Sequence, residues 1–309
     1  MDGAKPQRLV SRRAPAKLNL RLKITGRRPD GYHNLVSVMV PVALYDRIDI
    51  QFVPSRGISL SCRGLRLPQN DKNLAFRAAA AFCEKTGLNQ GISLSLTKDI
   101  PVAAGLGGGS SDAAAVLRAL NHMTDAPLST RDLETLAVGL GADVPFFLKG
   151  CPCIAQGIGE KLTPIEKWPN LWYIIIMPPI EVSTTWVYGE LDRKEAIEKG
   201  HVLAELELTS IEYQAIMAYL GCGSPQIDRL LENDLERVTV SRFPTLRRIK
   251  TALLRAGAEG TLMSGSGPSV FGVFRSRESA EKAKGTLLAK HLGHVFLAGG
   301  LDKTRTVTP

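Results

Sequence analysis

The 309-residue sequence predicts a two-domain α+β protein. Three observations carry that prediction. A glycine-dense loop passes without a break into an amphipathic helix between Pro101 and Asn121, short alternating strands precede it, and from residue 171 the segments run strand, helix, strand, strand, helix, strand. The last order is that of a ferredoxin-like layer of helices on an antiparallel sheet. A connection containing proline and tryptophan near 160 to 170 marks the break, giving an N-terminal α/β domain over 1–165 and a C-terminal ferredoxin-like domain over 166–309.

The 44% hydrophobic content suffices for real cores, and 39 Lys and Arg against 30 Asp and Glu suit anionic ligands. The basic excess is spread thinly, in short clusters such as Arg27-Arg28 and Arg247-Arg248, so most of it reads as solvated surface. Cysteines at 62, 83, 151, 153 and 222 form no CxxC pair, and the CxC pattern of Cys151 and Cys153 is too sparse for zinc. Reduced thiols in a cytoplasmic protein are the expectation. No apolar run reaches the roughly 18 residues of a membrane span, so no membrane partner is expected. The opening MDGAKPQRLVSRR is basic without an apolar centre and reads as a frayed tail rather than a secretory signal.

From Ala14, APAKLNLRLKI alternates, with Leu18, Leu20, Leu22 and Ile24 on one face and Lys17, Asn19, Arg21 and Lys23 on the other, as in a half-buried strand. Lys17 and Asn19 project to the same side near its start; Arg21 and Lys23 read as an ordinary wet face. Arg28-Pro29-Asp30-Gly31 is a turn. Tyr32, His33 and Asn34 follow, then an apolar strand over 35–44. Read alone, that trio is either a polar strand entry or a surface that stacks on and hydrogen-bonds a base. Strands are expected near 47–53 and 57–62, a helix over 74–86 behind Asn70-Asp71-Lys72-Asn73, and a strand over 91–98 leading into the loop.

In the loop, Gly105, Gly107, Gly108 and Gly109 tolerate positive φ and close backbone approach, while Ser110, Ser111 and Asp112 are favoured at a helix start. Behind them Ala113, Val116, Leu117 and Leu120 form one apolar stripe. The free amides of a helix N-terminus carry roughly half a positive charge and bind anions, phosphate above all. The stretch therefore reads as a phosphate cradle, the alternative being a glycine-rich connection with no ligand. It is no Walker loop, since no Lys follows the glycines, and no dinucleotide fingerprint, since Ser110 stands three positions after Gly107. Asp112 opposes phosphate unless its carboxylate points away. Ser129 opens the next helix with Asp132 in the capping-box position. In GLGADVPFFLKG, Asp143 is either a turn residue or a carboxylate in a partly desolvated pocket, where a general base belongs.

Further on, a strand is expected over 171–177 and a helix over 244–256 with Leu246, Ile249, Leu253 and Leu254 inward. Strands over 260–263 and 269–274 flank Ser264-Gly265-Ser266-Gly267-Pro268, and a helix over 278–291 precedes a final strand over 294–298. Residues 189–240 read as a helical insertion.

Together PAKLNL at 15–20, GLGGGSS at 105–111 and SGSGPS at 264–269 resemble the GHMP kinases, in order and over the whole chain. DGYHNL at 30–35, GLGGGSSDAA and GADVPFF narrow the resemblance to the branch that phosphorylates a hydroxyl of a cytidine diphosphate-linked methylerythritol in non-mevalonate isoprenoid synthesis. That resemblance implies a two-domain kinase fold using ATP and Mg2+, with Lys17 and Asp143 as the catalytic pair and Asn19 beside them in the acceptor pocket. It further implies Tyr32 and His33 as cytidine-binding residues, with Tyr188 an aromatic partner across the base. Asn73, Leu74 and Lys98 match the adenine side. Pro101, Val102, Ala103, Ala104, Gly105, Leu106, Gly107, Gly108, Gly109, Ser110 and Ser111 match the triphosphate loop, with Mg2+ on the Ser111 hydroxyl. Ala103 stands where the superfamily often has glycine; it restricts φ, and its amide is assigned no contact. The expected partners are small molecules, not nucleic acid, acting on a monomer or a weak homodimer.

Two other readings compete. Another kinase of the superfamily, acting on mevalonate or homoserine, would leave Tyr32-His33 with no base to read. An RNA-binding protein would need more than 6% aromatic residues and a dense basic face between them.

Overall fold

The structure, a computed structural model, describes residues 9–65, 67–125, 127–199, 210–220 and 225–302; Cys222 and the start of the expected tail lie outside them. The N-terminal half opens with two long antiparallel strands, β1 (Leu9–Arg27) and β2 (His33–Val53). β3 (Ile58–Arg63), α1 (Leu74–Thr86), β4 (Gly91–Thr97), α2 (Gly108–Met123), α3 (Thr130–Leu140) and α4 (Val144–Lys149) follow, then the hairpin of β5 (Cys153–Gln156) and β6 (Lys161–Pro164). The main sheet runs β3-β4-β2-β1, and β5 pairs with β2 as a side ladder.

Local chemistry sets several boundaries. Asn73 caps α1 by accepting the Ala75 amide at 2.9 Å, and left-handed Gly87 ends it. Ser129 accepts the Asp132 amide at the start of α3, as its capping-box position predicts.

Three expectations change in this half. Residues 9–13 are not a frayed tail: they extend β1 against Arg47–Gln51, with Val10 buried. The strands expected over 35–44 and 47–53 are one, bent where the register slips, since Pro15 faces Tyr45 but Ala16 faces Val42. Extra residues in one strand bend it, and this bend brings Asp46, fully buried, close to the glycine loop. Finally, the polar face of β1 is not wet at its centre. Lys17 and Asn19 are nearly as buried as Leu18 and Leu20, because the glycine loop and the 264–269 turn lie over that face.

The C-terminal half contributes β7 (Trp172–Met177), α5 (Thr184–Lys199), α6 (Ser210–Leu220), α7 (Ile227–Leu230), β8 (Glu232–Asn233), α8 (Glu236–Arg242), α9 (Pro244–Arg255), β9 (Gly260–Met263), β10 (Val270–Phe274), α10 (Arg277–Leu288) and β11 (His294–Gly299). Its antiparallel sheet has the order β11-β7-β10-β9, the ferredoxin-like arrangement. α9 buries Leu246, Ile249 and Leu253, but Leu254 is 49% exposed, since one further residue rotates the side chain about 100° off the buried stripe. The stretch expected as a helical insertion is not wholly helical. β8 pairs in parallel with Arg21 and Leu22 of β1 and so becomes a strand of the first sheet.

One core joins the halves. Leu18, Leu20, Val36 and Val38 from the first sheet pack in the same cluster as Tyr173, Ile175 and Phe271 from the second. Full burial of each such side chain is worth roughly 1.5–3 kcal/mol, which fixes the strand carrying Lys17 and Asn19 against both sheets.

Candidate active site

A cavity of about 700 Å³ opens between the glycine loop, the start of β2, α5 and the 264–267 turn. Its floor is built by three motifs remote in sequence. Leu106 accepts the Lys17 amide at 2.9 Å, Ser264 donates its hydroxyl to the Gly105 carbonyl at 2.9 Å, and the Asn19 amide donates to Ser264 Oγ at 3.3 Å. Gly105 is glycine for a steric reason: at φ +74° a Cβ there would sit 2.1 Å from the Ser264 carbonyl oxygen. The turn is held in place by Asn233 of β8, whose Nδ2 donates to the carbonyls of Met263 and Gly265, each at 2.8 Å.

The helix that follows the loop starts earlier than Ser110. α2 begins at Gly108 with left-handed Gly107, φ +70°, as its N-cap and no side-chain cap. Glycine makes the turn without a side-chain oxygen, so the first amides of the helix are not consumed by a capping group. Ala103, Gly105, Gly107 and Ser110 line the cavity. Ala103 adopts φ +52° without being glycine, a strained backbone in the position where restricted φ was expected to matter. Ser111 is 1% exposed, its hydroxyl has no hydrogen-bond partner, and it does not line the cavity. Of the two loop serines, Ser110 lines the cavity.

At the loop end of the cavity Lys17 Nζ lies 3.4 Å from Asp143 Oδ2 and donates to Asn19 Oδ1 at 2.5 Å. Asn19 in turn donates to Ser37 Oγ at 2.8 Å, and Ser37 donates to the Arg21 carbonyl at 2.6 Å, which fixes the amide so that its oxygen faces the lysine. Asp143 occupies the N-cap position of α4 yet makes no capping hydrogen bond. Its side chain stays 35% exposed, turned to the cavity and to Lys17. A carboxylate that neglects its own helix is available for chemistry.

The far end is aromatic. Tyr32 stands at the rim, 61% exposed, and the His33 ring meets Tyr188 at a centroid distance of 4.9 Å and a 32° tilt. α5 buries Val187 and Leu191 in the core, so Tyr188 and Asp192, each one residue further round, line the cavity. Burial, with the charge of Asp143 added, pushes the Tyr188 phenol up to about 12, so it remains a neutral donor.

The adenine-side candidates fall elsewhere. Asn73 is the buried N-cap of α1, and Leu74 lies 3.6 Å from where a Gly109 side chain would begin; neither lines the cavity. Pro101, Val102, Ala104, Leu106, Gly108 and Gly109 also lie outside the lining. Lys98 is buried in an ion cluster, pairing with Asp46 and, at 2.8 Å, with Asp112. Asp112 thus has one carboxylate oxygen taken up by Lys98, and it does not line the cavity. Burial first, and then Asp46, push its carboxyl up to about 8 against the opposing pull of Lys98.

Sequence reasoning missed Ser37, Asp46, Asp192 and Ser264. Ser264 left a trace as the first residue of the 264–269 motif, while Asp46 is one of two aspartates in its strand.

Residues 73–151 match the GHMP kinases N terminal domain and residues 213–293 the GHMP kinases C terminal model. The chain is 46% identical over 277 residues to a 4-diphosphocytidyl-2-C-methyl-D-erythritol kinase of Syntrophotalea carbinolica, covering 90% of this chain and 94% of that one. It is 45% identical to the kinase of the same name from Geobacter metallireducens, covering 88% and 91%. A crystal structure of 4-(cytidine 5'-diphospho)-2C-methyl-D-erythritol kinase superposes with a TM-score of 0.77 at 36% identity, covering 94% of this chain and 99% of the other. A homoserine kinase from Cytophaga hutchinsonii, at 20% identity and a TM-score of 0.69, shares the fold. With these matches spanning nearly its whole described length and both GHMP models satisfied in order, the chain belongs to the 4-diphosphocytidyl-2-C-methyl-D-erythritol kinase family of the GHMP kinases.

Proposed function

We propose that the chain transfers the γ-phosphoryl group of ATP to the 2-hydroxyl of 4-diphosphocytidyl-2-C-methyl-D-erythritol, giving the 2-phosphate and ADP. The observation that carries the reading is the polarity of one cavity: a lysine–carboxylate pair beside a glycine loop at one end, and an aromatic and imidazole surface at the other. A nucleotide-linked polyol has this same asymmetry, with a base to stack and a hydroxyl to activate.

Phosphoryl transfer asks mainly for positioning and charge stabilisation. Asp143 accepts the proton of the acceptor hydroxyl. Lys17 orients that carboxylate and offsets the alkoxide charge as it develops, while Asn19 and Ser37 hold the ammonium in register. The amides at the start of α2, with the positive end of the helix dipole behind them, receive the transferring phosphates. No cluster of three or more His, Cys, Asp or Glu suited to a metal exists among the described residues. Ser110 and Asp143 line the cavity and offer the hard oxygen ligands that would hold a nucleotide-borne Mg2+, which would supply charge neutralisation. Tyr32 and Tyr188 stack on the cytosine and His33 reads its edge.

The test is ATP consumption by the purified protein with Mg2+, with the cytidine-linked methylerythritol, mevalonate and homoserine offered in parallel. Turnover with the first alone is the expected result. Turnover with another alcohol instead would keep the kinase chemistry and discard the cytidine pocket.

A further inference from the structure

The His33 ring makes one hydrogen bond to protein: its Nε2 lies 2.6 Å from Asp192 Oδ1, and Arg27 Nη1 lies 3.5 Å from the other carboxylate oxygen. Among the described residues Nδ1 has no partner, and the residue lines the cavity. A carboxylate only accepts hydrogen bonds, so the proton of the ring sits on Nε2, and in the neutral imidazole Nδ1 becomes an acceptor. Asp192 is not free to drift from this role. It stands one turn after Tyr188 on α5, the helix is anchored through Val187 and Leu191, and Thr184 at its start is tied to Ser266 at 2.8 Å.

An acceptor distinguishes the two pyrimidines. Cytosine presents its N4 amino group as a donor where uracil presents the O4 oxygen as an acceptor. Nδ1 pairs with the first and meets the second lone pair to lone pair. We propose that Asp192 is a specificity-determining positioning residue: by holding the proton on His33 Nε2 it makes the pocket select cytosine over uracil. This rests on the functional reading above, which supplies the pyrimidine; the new element is that a carboxylate behind the ring sets which one is accepted.

The test compares kcat and KM for the cytidine substrate and for its uridine counterpart in the wild type, Asp192→Asn and Asp192→Glu. An asparagine can donate to Nε2, which drives the proton to Nδ1 and reverses the polarity of the reading edge. The expected result is a cytidine-over-uridine preference in kcat/KM that falls by about tenfold or more in Asp192→Asn, carried by KM, and is largely restored in Asp192→Glu, which remains acceptor-only. Nitrogen chemical shifts of His33 in the free protein are the second readout and need no turnover: the wild type is expected as the Nε2–H tautomer and Asp192→Asn is not. A wild-type Nδ1–H tautomer overturns the proposal, as does an unmoved base preference in a folded Asp192→Asn variant. A wild type that turns over neither pyrimidine substrate overturns the functional reading itself, a result distinct from either.

Discussion

Two lysines flank the glycine loop, and their surroundings differ in one respect that separates architecture from chemistry. A Cβ on Gly107 would touch Lys17 Cγ at 3.0 Å, and one on Gly108 would meet Lys98 Nζ at 3.1 Å, so adjacent glycines face the two lysine side chains. Lys98 is sealed. Asp46 and Asp112 both contact it, and the other oxygen of Asp46 accepts the amides of Asp99 at 2.8 Å and Ile100 at 2.9 Å. Burial alone would push the Lys98 ammonium down, but the charges of Asp112 and Asp46 outweigh it and hold the group up. Lys17 is buried too, yet its carboxylate partner sits at 3.4 Å and keeps a third of its surface open. A cluster with its main charges matched fixes the two ends of the loop, from residues 98–100 to α2. A cluster with one carboxylate left open to the cavity can take a proton from a ligand.

The largest break in that comparison is expected at Asp143. Asp143→Asn should lower kcat by about a hundredfold to ten-thousandfold, the usual cost of losing a positioned base, with the protein still folded, since the side chain makes no capping bond and Lys17 keeps its hydrogen bond to Asn19. A variant retaining more than about a tenth of the wild-type rate would take the proton-accepting role away from Asp143.

Lys98→Met should act the other way round. It strands the Asp46 carboxylate in a fully buried site and is expected to cost about 3–5 kcal/mol of stability, read from the urea midpoint, with a smaller effect on the kcat of the protein that remains folded. If the midpoint hardly moved while turnover collapsed, Lys98 would belong with the reacting groups.

Asp112→Asn gives the effect that depends most on pH. The folded-state pKa of Asp112, near 8, lies above the ordinary carboxylate value near 4. Between those limits the folded chain holds a proton that the unfolded chain has released. The stabilisation is therefore complete below about pH 4, declines as the pH rises, and is lost once it passes about 8. Asparagine copies the protonated carboxyl at every pH. The stability of Asp112→Asn relative to the wild type should then climb steadily from about pH 5 to about pH 8; parallel stability profiles would show that Asp112 is ionised throughout.

Much of this contrast was invisible in the sequence, though its parts were not. Lys17 and Asn19 were legible as neighbours on one face of a strand, because alternation is a property of the strand itself. Their burial was not, since it depends on a loop and a turn arriving from distant segments. Lys98 was assigned to the adenine side by resemblance, whereas its ammonium is taken up by an aspartate on the bend of β2 and another on α2. The helix start was displaced to Gly108 because glycine at Gly107 supplies the turn that serine or aspartate was expected to cap. Tyr188 lines the cavity, but its companion Asp192 drew no notice, for an acid on a helix looks like any solvated residue.

The sequence by itself determined what short-range physics governs: the strand alternation, the caps at Asn73 and Ser129, the glycine-rich start of α2 and the ferredoxin-like order of the second half. Only the tertiary structure decided which charges meet. Lys17 with Asp143, His33 with Asp192 and Lys98 with Asp46 each join separate elements, and hydrogen bonds and ion pairs between them form at distances of a few ångströms that no local pattern encodes. Burial then assigned their roles, because the same charge that is stabilising when fully paired in the interior becomes reactive when one side of it is left open to a ligand.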